Sequence, residues 1–144
     1  QRMTVFRVFN HRFNYNDWNE SLYTKPELTI EKSDDSGMHL TVEKRAKNVV
    51  MTNSERYLDR IYYNWDHHDT VLYLDKYLHN DDDDFWMFPS ATIRLRLPEG
   101  QVIVLSEEAC DMLESYQQER YCSDSLLTGK NSVMTANGLM LLEK

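Results

Sequence analysis

The stretch Thr92-Ile93-Arg94-Leu95-Arg96-Leu97 decides the fold, because its apolar and polar side chains alternate strictly. Successive side chains of a β-strand point to opposite faces, so this pattern predicts a strand with one aliphatic and one polar face. The reverse orientation would bury Arg94 and Arg96 unpaired, at a cost of several kcal/mol per charge. Pro98-Glu99-Gly100 follows directly and predicts a tight turn into a second strand over Gln101–Leu105. The aliphatic face must therefore line a core.

Two earlier segments show the same alternation. One segment places Leu28 and Ile30 on a shared face, and another places Leu40 and Val42 on a shared face. The turn-forming residues Ser33–Gly37 lie between the two segments and predict either a hairpin or the corner of a solenoid. Both segments are predicted strands that contribute to the same core.

The alternation returns in the middle and at the end of the chain. Ile61–Trp65 and Leu72–Leu74 alternate on either side of Asp66–Asp69, which predicts a turn. Near the end, predicted strands over Ser132–Thr135 and Leu139–Leu142 flank an Asn-Gly pair, a strong tight-turn signal. The aliphatic positions predicted to share one core are Leu28, Ile30, Leu40, Val42, Leu72, Leu74, Ile93, Leu95 and Leu97.

The strand pairs recur, with leading strands centred near residues 30, 62, 95 and 134. Such a period predicts stacked strand-turn-strand units that bury a shared core between neighbours, although an ordinary β-sandwich also has regularly spaced strands. Short helices are predicted over Ser54–Ile61, with Asn53 or Ser54 as the cap, and over Glu107–Tyr116. The predicted fold class is mainly β, a solenoid-like stack or a sandwich with one or two short helices.

Length and charge limit the classes of partner. The 144 residues have the usual size of one domain, so residues 1–144 are treated as a single domain. A formal net charge of −8 repels phosphate, which argues against nucleic acid and anionic lipid headgroups as direct partners. No apolar run approaches the roughly 18 residues that span a bilayer, so we expect no membrane insertion by these residues. Any anchor or export signal is expected upstream of Gln1.

Cys110 and Cys122 are the two cysteines of the chain and lie in a polar stretch. A disulfide between them would close a short loop and stabilise the fold by roughly 3 kcal/mol in the chain-entropy model. Two free thiols in a reducing compartment are the alternative, and two cysteines alone do not decide the compartment.

The densest set of metal-ligand residue types is Trp65-Asp66-His67-His68-Asp69, with Asp81-Asp82-Asp83-Asp84 shortly after it. Adjacent His67 and His68 on an extended chain point opposite ways, which is poor spacing for zinc. The aspartate run lacks the alternating ligands and the glycine of a calcium loop. Both stretches are predicted to be solvated turns, with a structural calcium ion in the acidic loop as the one alternative. No other metal and no cofactor is predicted.

No catalytic residue is predicted either. The sequence has no Gly-x-Ser-x-Gly elbow, no phosphate-binding glycine loop and no histidine near either cysteine in sequence. Carboxylate pairs are abundant, but chance pairs are expected in a chain with 24 acidic residues. We therefore expect a non-enzymatic domain.

Phe85-Trp86-Met87-Phe88 is too dense an aromatic run for one strand to bury, because alternate residues face opposite ways. Phe85, Trp86 and Phe88 are therefore a candidate interaction patch, since aromatic residues are favoured at interface cores. The alternative is a strand that enters the core while Asn14–Tyr23 covers its outward rings.

Five short motifs, taken in order and spacing, carry a resemblance to a known family. They are Pro26-Glu27-Leu28-Thr29-Ile30-Glu31-Lys32-Ser33-Asp34-Asp35, Leu40-Thr41-Val42-Glu43-Lys44, Leu72-Tyr73-Leu74-Asp75-Lys76-Tyr77, Leu97-Pro98-Glu99-Gly100 and Val133-Met134-Thr135-Ala136-Asn137-Gly138-Leu139. The set resembles the C-terminal toast-rack domain of Bacteroidetes proteins related to phage-shock protein C (PspC). Residues 1–25 have no counterpart in this pattern, and Cys110 and Cys122 are not family markers.

The resemblance implies a β-rich periplasmic domain, which a PspC segment and membrane helices anchor to the inner membrane. It also implies a link to envelope stress and brings no catalytic residues. We therefore expect a sensing or interaction module that passes envelope status to its own membrane segment or to partner proteins. The alternative is a structural or adhesive domain related to β-helical adhesin heads. A third interpretation is a ligand-binding or metal-dependent catalytic domain.

Overall fold

The computed structural model describes residues 5–11, 25–46, 61–80 and 89–142, and these ranges are mainly β. Their strands are β1 (Val5–His11), β2 (Glu27–Lys32), β3 (His39–Ala46), β4 (Ile61–Tyr62), β5 (Trp65–His68), β6 (Val71–Asp75), β7 (His79–Asn80), β8 (Pro89–Leu97), β9 (Val102–Leu105), β10 (Asn131–Thr135) and β11 (Gly138–Leu141). Their helices are α1 (Glu107–Met112) and α2 (Ser115–Gln117), followed by a π-helical turn (Gln118–Cys122) and a 3-10 turn (Ser123–Ser125). The mainly-β prediction is confirmed.

Two larger sheets face each other across one core. The six-stranded sheet has the order β11-β10-β9-β1-β6-β5, the three-stranded sheet has the order β2-β8-β3, and β4 pairs with β7. The core draws Val8, Leu74 and Ile103 from the first sheet and Ile30 and Leu95 from the second. No closed solenoid is seen in the ranges that the structure describes.

Strand β1 lies in the middle of the six-stranded sheet and runs parallel to both β6 and β9. Val8 is 1% exposed and lies opposite Leu72 on one side and Leu105 on the other. The N-terminal segment, which had no place in the sequence pattern, therefore supplies a central strand. Parallel partners are distant in sequence, so no local turn signal marks such a strand.

Strand β8 lies between β2 and β3, parallel to the first and antiparallel to the second. Leu95 lies opposite Ile30 on one side and Leu40 on the other. Of the two alternatives predicted for Ser33–Gly37, the hairpin is therefore wrong, because β8 lies between the two strands. The segment Ser33–Met38 crosses the two strand spacings, about 10 Å, that separate β2 from β3.

The predicted core positions are confirmed. Seven of them are at most 5% exposed, whereas Leu40 and Val42 are half-buried and pack against the same cluster. The seven are Leu28, Ile30, Leu72, Leu74, Ile93, Leu95 and Leu97. The alternation along each strand thus assigns its faces correctly.

The polar face of β8 carries a cross-strand charge ladder. Arg94 donates to Glu31 on β2 at 2.7 Å and to Glu43 on β3 at 3.0 Å. Arg96 also donates to Glu31, at 3.2 Å. Hydrogen bonds from Arg94 lower the pKa of Glu43, and bonds to Glu43 and Glu31 raise the pKa of Arg94. These ion pairs stabilise the same strand register that buries the aliphatic side chains.

The predicted turns are confirmed at two positions and shifted at a third. Pro98–Gly100 carries the chain from β8 in one sheet to β9 in the other, and β10 and β11 form the predicted hairpin. The Asp66–Asp69 turn is wrong for its first three residues, which lie in β5. The turn to β6 is Asp69-Thr70, where Asp69 has φ 52°, a conformation that aspartate tolerates better than most residues.

The helical segment after β9 is confirmed, with a break at Leu113 and Glu114. Ser106 caps α1 by accepting a hydrogen bond from the Ala109 N–H at 3.0 Å. The predicted helix over Ser54–Ile61 lies outside the described residues except for Ile61, which begins β4.

We expect Leu95→Ala to lower the free energy of unfolding by about 2–5 kcal/mol, because it leaves a cavity between two neighbouring strands. The control is Thr29→Ala on β2, which should cost far less because Thr29 is not among the core residues. Urea unfolding of both variants measures the difference. Equal midpoints for the two variants would contradict the assignment of faces.

Candidate interaction site

The two sheets leave a groove on one side of the core. This groove encloses about 250 Å³ and is mainly apolar. Its lining residues are Phe6, Met38, His39, Leu40, Trp65, His67, Leu72 and Leu95. Leu72 and Leu95 are buried members of the core, so the groove is a place where the core comes close to solvent. We call it the side groove.

Strand β5 forms one rim of the side groove and is exposed along all four of its residues. Trp65 lies opposite Leu74, and His67 lies opposite Leu72. Directly opposed residues of an antiparallel pair share a face, so Trp65 and His67 point to the core side of the sheet. Trp65 is nevertheless 48% exposed, and the His67 ring stacks on Phe6 with centroids 6.0 Å apart.

Tyr63 holds the chain at the entrance to β5. Its hydroxyl donates to the Asp75 carbonyl at 2.8 Å, and the Asp75 N–H donates to the Asn64 carbonyl at 3.0 Å. Burial, followed by the nearby Asp75 carboxylate, raises the pKa of Tyr63, so this hydroxyl stays a donor across the biological pH range. The start of the exposed strand is therefore fixed to its neighbour.

Strand β5 is an edge of the six-stranded sheet, with β6 as its neighbour. Hydrogen-bonded pairs alternate along an antiparallel ladder, and the Asn64–Asp75 bond places Asp66 and His68 in the inward-bonding positions. The backbone groups of Trp65 and His67 therefore point away from β6. The Asp66 carboxylate accepts the outward His67 N–H at 2.8 Å, and this bond and one from His68 lower the pKa of Asp66.

The opposite rim holds a second aspartate–histidine pair. The Asp35 carboxylate accepts hydrogen bonds from the Gly37 N–H at 2.9 Å and from the Ser33 hydroxyl at 2.9 Å, and it contacts His39 Nε2 at 2.8 Å. The bond to His39, followed by that from Gly37, lowers the pKa of Asp35 to about 2. On each side of the apolar groove, a lining residue therefore bonds to an aspartate with a lowered pKa: His39 to Asp35, and His67 to Asp66.

The far side of the core is closed by the helical segment. The Gln117 side chain accepts from the Ile30 N–H at 2.9 Å and donates to the Ile30 carbonyl at 2.8 Å. This paired bonding imitates a neighbouring strand at the edge formed by β2. The Glu114 N–H adds a bond to the Leu28 carbonyl at 3.0 Å. The edge at β2 is thus covered, in contrast to β5.

A disulfide joins Cys110 to Cys122 with Cα atoms 6.1 Å apart, which ties α1 to the π-helical turn. That turn also holds the C-terminal hairpin: Tyr121 accepts the Leu139 N–H at 3.2 Å, and Arg120 donates to the Asn137 carbonyl at 2.6 Å. A β-carbon on Gly138 would run into the Tyr121 hydroxyl. Beside the disulfide lies an open polar depression of about 590 Å³ with several carboxylates in its lining.

The remaining candidates from the sequence divide between described and undescribed residues. Phe85, Trp86 and Phe88 and the acidic run Asp81–Asp84 lie outside the described residues. His67 and His68 lie on opposite faces of β5, His68 bonding to Asp66 at 2.9 Å. Within the described ranges, no group of three or more His, Cys, Asp or Glu side chains is arranged to hold a metal ion.

Sequence reasoning missed the side groove, because its lining combines β1, β3, β5, β6 and β8. The alternation of Tyr63 and Trp65 was visible, but it predicted only a strand face. A tryptophan at a strand that ends a sheet was the available signal, and the sequence did not say which strand ended it.

Comparison with protein families gives one match. The model of the toast-rack domain found in some PspC proteins matches residues 13–141. The chain belongs to this toast-rack family. No curated protein and no solved structure matches the chain. In this toast-rack domain β1 precedes the matched range, whereas both rims of the side groove lie within it. None of the helices in the described part is long and apolar enough to cross a membrane.

We expect the hydrogen bonds of the Asp35 carboxylate to make the free energy of unfolding of the toast-rack domain fall at acidic pH. The pKa of Asp35 falls from 3.8 to about 2 on folding, so its contribution is complete above the unfolded value and is lost as pH falls through about 2. Asp35→Asn should therefore be less stable than the wild type at pH 5, and the gap should narrow toward pH 2. Urea unfolding at several pH values measures this difference in stability. Asp34→Asn is the control, because Asp34 is an exposed neighbour of Asp35. A stability difference between the wild type and Asp35→Asn that does not change with pH would contradict the role given to the ionised Asp35 carboxylate.

The oxidised state of Cys110 and Cys122 in the native compartment is a prediction. Denatured, non-reduced protein from that compartment should show no reactive thiol in a thiol-counting assay. Replacing both cysteines by serine should cost about 3 kcal/mol of unfolding free energy, because the unfolded chain loses a closed loop. Two reactive thiols in the native material, or equal stability of the oxidised and serine forms, would speak against it.

Proposed function

We propose that this toast-rack domain is a non-enzymatic interaction module of a PspC-like, membrane-anchored envelope protein. In this proposal it lies in the periplasm, as the motifs shared with Bacteroidetes PspC relatives suggest, and segments outside this chain anchor it to the inner membrane. It reports envelope stress by contacts with partner proteins or with its own membrane segment. Residues 1–144 act as one domain, with strand–turn–strand units of the toast-rack type.

The observation that carries the proposal is the side groove with Trp65 at its rim. An aromatic side chain that is half exposed beside an apolar groove, on an exposed strand at the edge of its sheet in the described part of the chain, is the composition expected of an interface centre. Buried apolar residues form the floor, so a partner side chain placed there would extend the core. Catalysis would need convergent titratable groups, whereas the lining of the side groove is mainly apolar and its two histidines, His39 and His67, lie on different strands.

The aromatic run Phe85, Trp86 and Phe88 is proposed as a second contact surface, on the strength of its sequence alone. It follows β7 after the acidic stretch, and the excess of rings over one strand face supports it. Trp86→Ala tests it in the same assays as the groove variant described below.

A structural or adhesive role is the second candidate. Strand edges favour it, because an array of copies or a surface ligand can dock through an unpaired edge. The two roles differ in what the exposed tryptophan does: a sensor needs Trp65 for signal output, whereas an adhesive domain needs it for attachment.

We expect Trp65→Ala in the full-length, membrane-anchored protein to abolish the stress-dependent output while the isolated domain keeps its melting temperature. The measurement is a reporter driven by envelope stress, read in cells with the native protein deleted. Tyr116→Ala is the matched control, because Tyr116 is an aromatic residue that is 66% exposed and lies outside the side groove. Loss of surface attachment with unchanged reporter output would favour the adhesive role. Unchanged behaviour in both assays would refute a role for the groove.

A further inference from the structure

Among the strands that the structure describes, β5 is an exposed edge of its sheet, and this edge and the side groove together define the chemistry of the partner. We propose that an extended partner segment pairs with β5 as an added strand, with apolar side chains in the side groove alternating with lysine or arginine side chains beside Asp66. This inference rests on the proposed function, because it names the partner of the same site.

The backbone of β5 offers the hydrogen bonds for such an addition. The outward N–H and C=O groups of Trp65 and His67 supply two donors and two acceptors, as an added strand requires. The His67 N–H is bonded to the exposed Asp66 carboxylate, which an incoming carbonyl can replace. A carbonyl of the incoming segment would take this N–H and release the Asp66 carboxylate.

The register of β5 fixes which side chains of the partner meet which surface. Residues opposite Trp65 and His67 share their face and enter the side groove, where Met38 and Leu40 form the far wall. The residue between them lies opposite Asp66 and points to the other face, where the Asp66 carboxylate, which also contacts His68 at 2.9 Å, can accept a basic side chain. An alternating apolar and basic segment meets both requirements at once.

Charge separates this occupant from a second copy of the chain. If Trp65 of one β5 paired with His67 of another about a two-fold axis, the two Asp66 carboxylates would face each other, and each copy carries a net charge of −8. The Asp35 carboxylate contacts His39, which lines the groove, and the Asp66 carboxylate lies on the other face of β5. A basic partner is attracted by Asp66 and by the net negative charge of the chain, whereas a second copy is repelled by that net charge.

The contrast with the β2 edge supports a strand-like occupant. There Gln117 supplies one donor and one acceptor to Ile30, which is the bonding of a neighbouring strand. At β5 the corresponding contact within the described residues is the single carboxylate of Asp66 on His67. The fold thus covers the β2 edge with a substitute for a strand, whereas the side chains of β5 are exposed.

The probes are three synthetic seven-residue peptides with blocked ends. The first peptide alternates lysine with valine and phenylalanine. The second has glutamate in place of each lysine. The third has the composition of the first, but its lysines form one block and its apolar residues form another. Titration of the isotope-labelled domain by NMR measures binding. The alternating basic peptide should bind at least tenfold more tightly than the other two, with shift changes at residues 64–68 and at Met38 and Leu40. The preference for the basic peptide over the glutamate peptide should shrink between 0.1 M and 1 M salt, because the Debye screening length falls from about 10 Å to about 3 Å.

His67→Pro tests strand addition directly. It removes the outward N–H while the inward bonds of Asp66 and His68 stay, and proline is accepted on the solvent side of an edge strand. His67→Ala is the matched control, because it removes the imidazole and keeps the N–H. Affinity for the basic peptide should fall at least tenfold from the alanine to the proline variant. If the proline variant fails to fold, cross-strand contacts between the peptide backbone and Trp65 and His67 in the wild-type complex replace it as the criterion.

Several outcomes would overturn the inference. The first is that the three peptides bind equally tightly. The second is that the two His67 variants bind the basic peptide with equal affinity. The third is that the complex shows no cross-strand backbone contacts. Concentration-dependent dimerisation abolished by His67→Pro would identify a second copy as the occupant and would also overturn it. If Trp65→Ala abolishes the stress output in cells but none of the peptides binds, the proposed function stands and the partner chemistry inferred here is wrong.

Discussion

The constraint on which this domain depends is the strict alternation along β8, which leaves Ile93, Leu95 and Leu97 no place except between the two sheets. Arg94 and Arg96 then emerge on the opposite face, where glutamates of both neighbouring strands reach them. Shifting either neighbour by one residue would separate these charges and turn its aliphatic side chains toward solvent. Packing and electrostatics therefore select the same register, and burial is the larger effect because exposed ion pairs contribute little.

The two sides of the core are closed by different means, and the difference follows from local sequence. After β9 the chain supplies Ser106 to start a helix and Gln117 to satisfy the exposed edge of β2, with a disulfide holding the segment in place. The other side ends at β5, whose four residues are exposed and whose neighbour β6 is held by β1. The side groove is the consequence: it is the part of the core that the helical segment does not reach.

How much of this the sequence reveals depends on the distance between the residues that interact. Alternation identified the buried positions of β2, β3, β6 and β8, since each pattern is complete within a few residues. It did not identify β8 as the neighbour of both β2 and β3, because Ser33–Met38 has turn composition whether the flanking strands touch or are separated. The parallel placement of β1 between β6 and β9 was equally invisible, since parallel partners meet only through long connections.

The site was harder to predict than the fold for the same reason. Asp66, His67 and His68 have turn-like and ligand-like composition, and the structure shows them instead as a strand whose turn is displaced onto Asp69. In that strand the Asp66 carboxylate accepts a hydrogen bond from the backbone N–H of His67. This bond satisfies an edge N–H when no partner strand is bound. An exposed carboxylate is a weak substitute for a strand, because water competes for it on every side. The same residue thus bonds the outward N–H of His67 and leaves it open to replacement by a partner strand, as the proposed interaction surface requires.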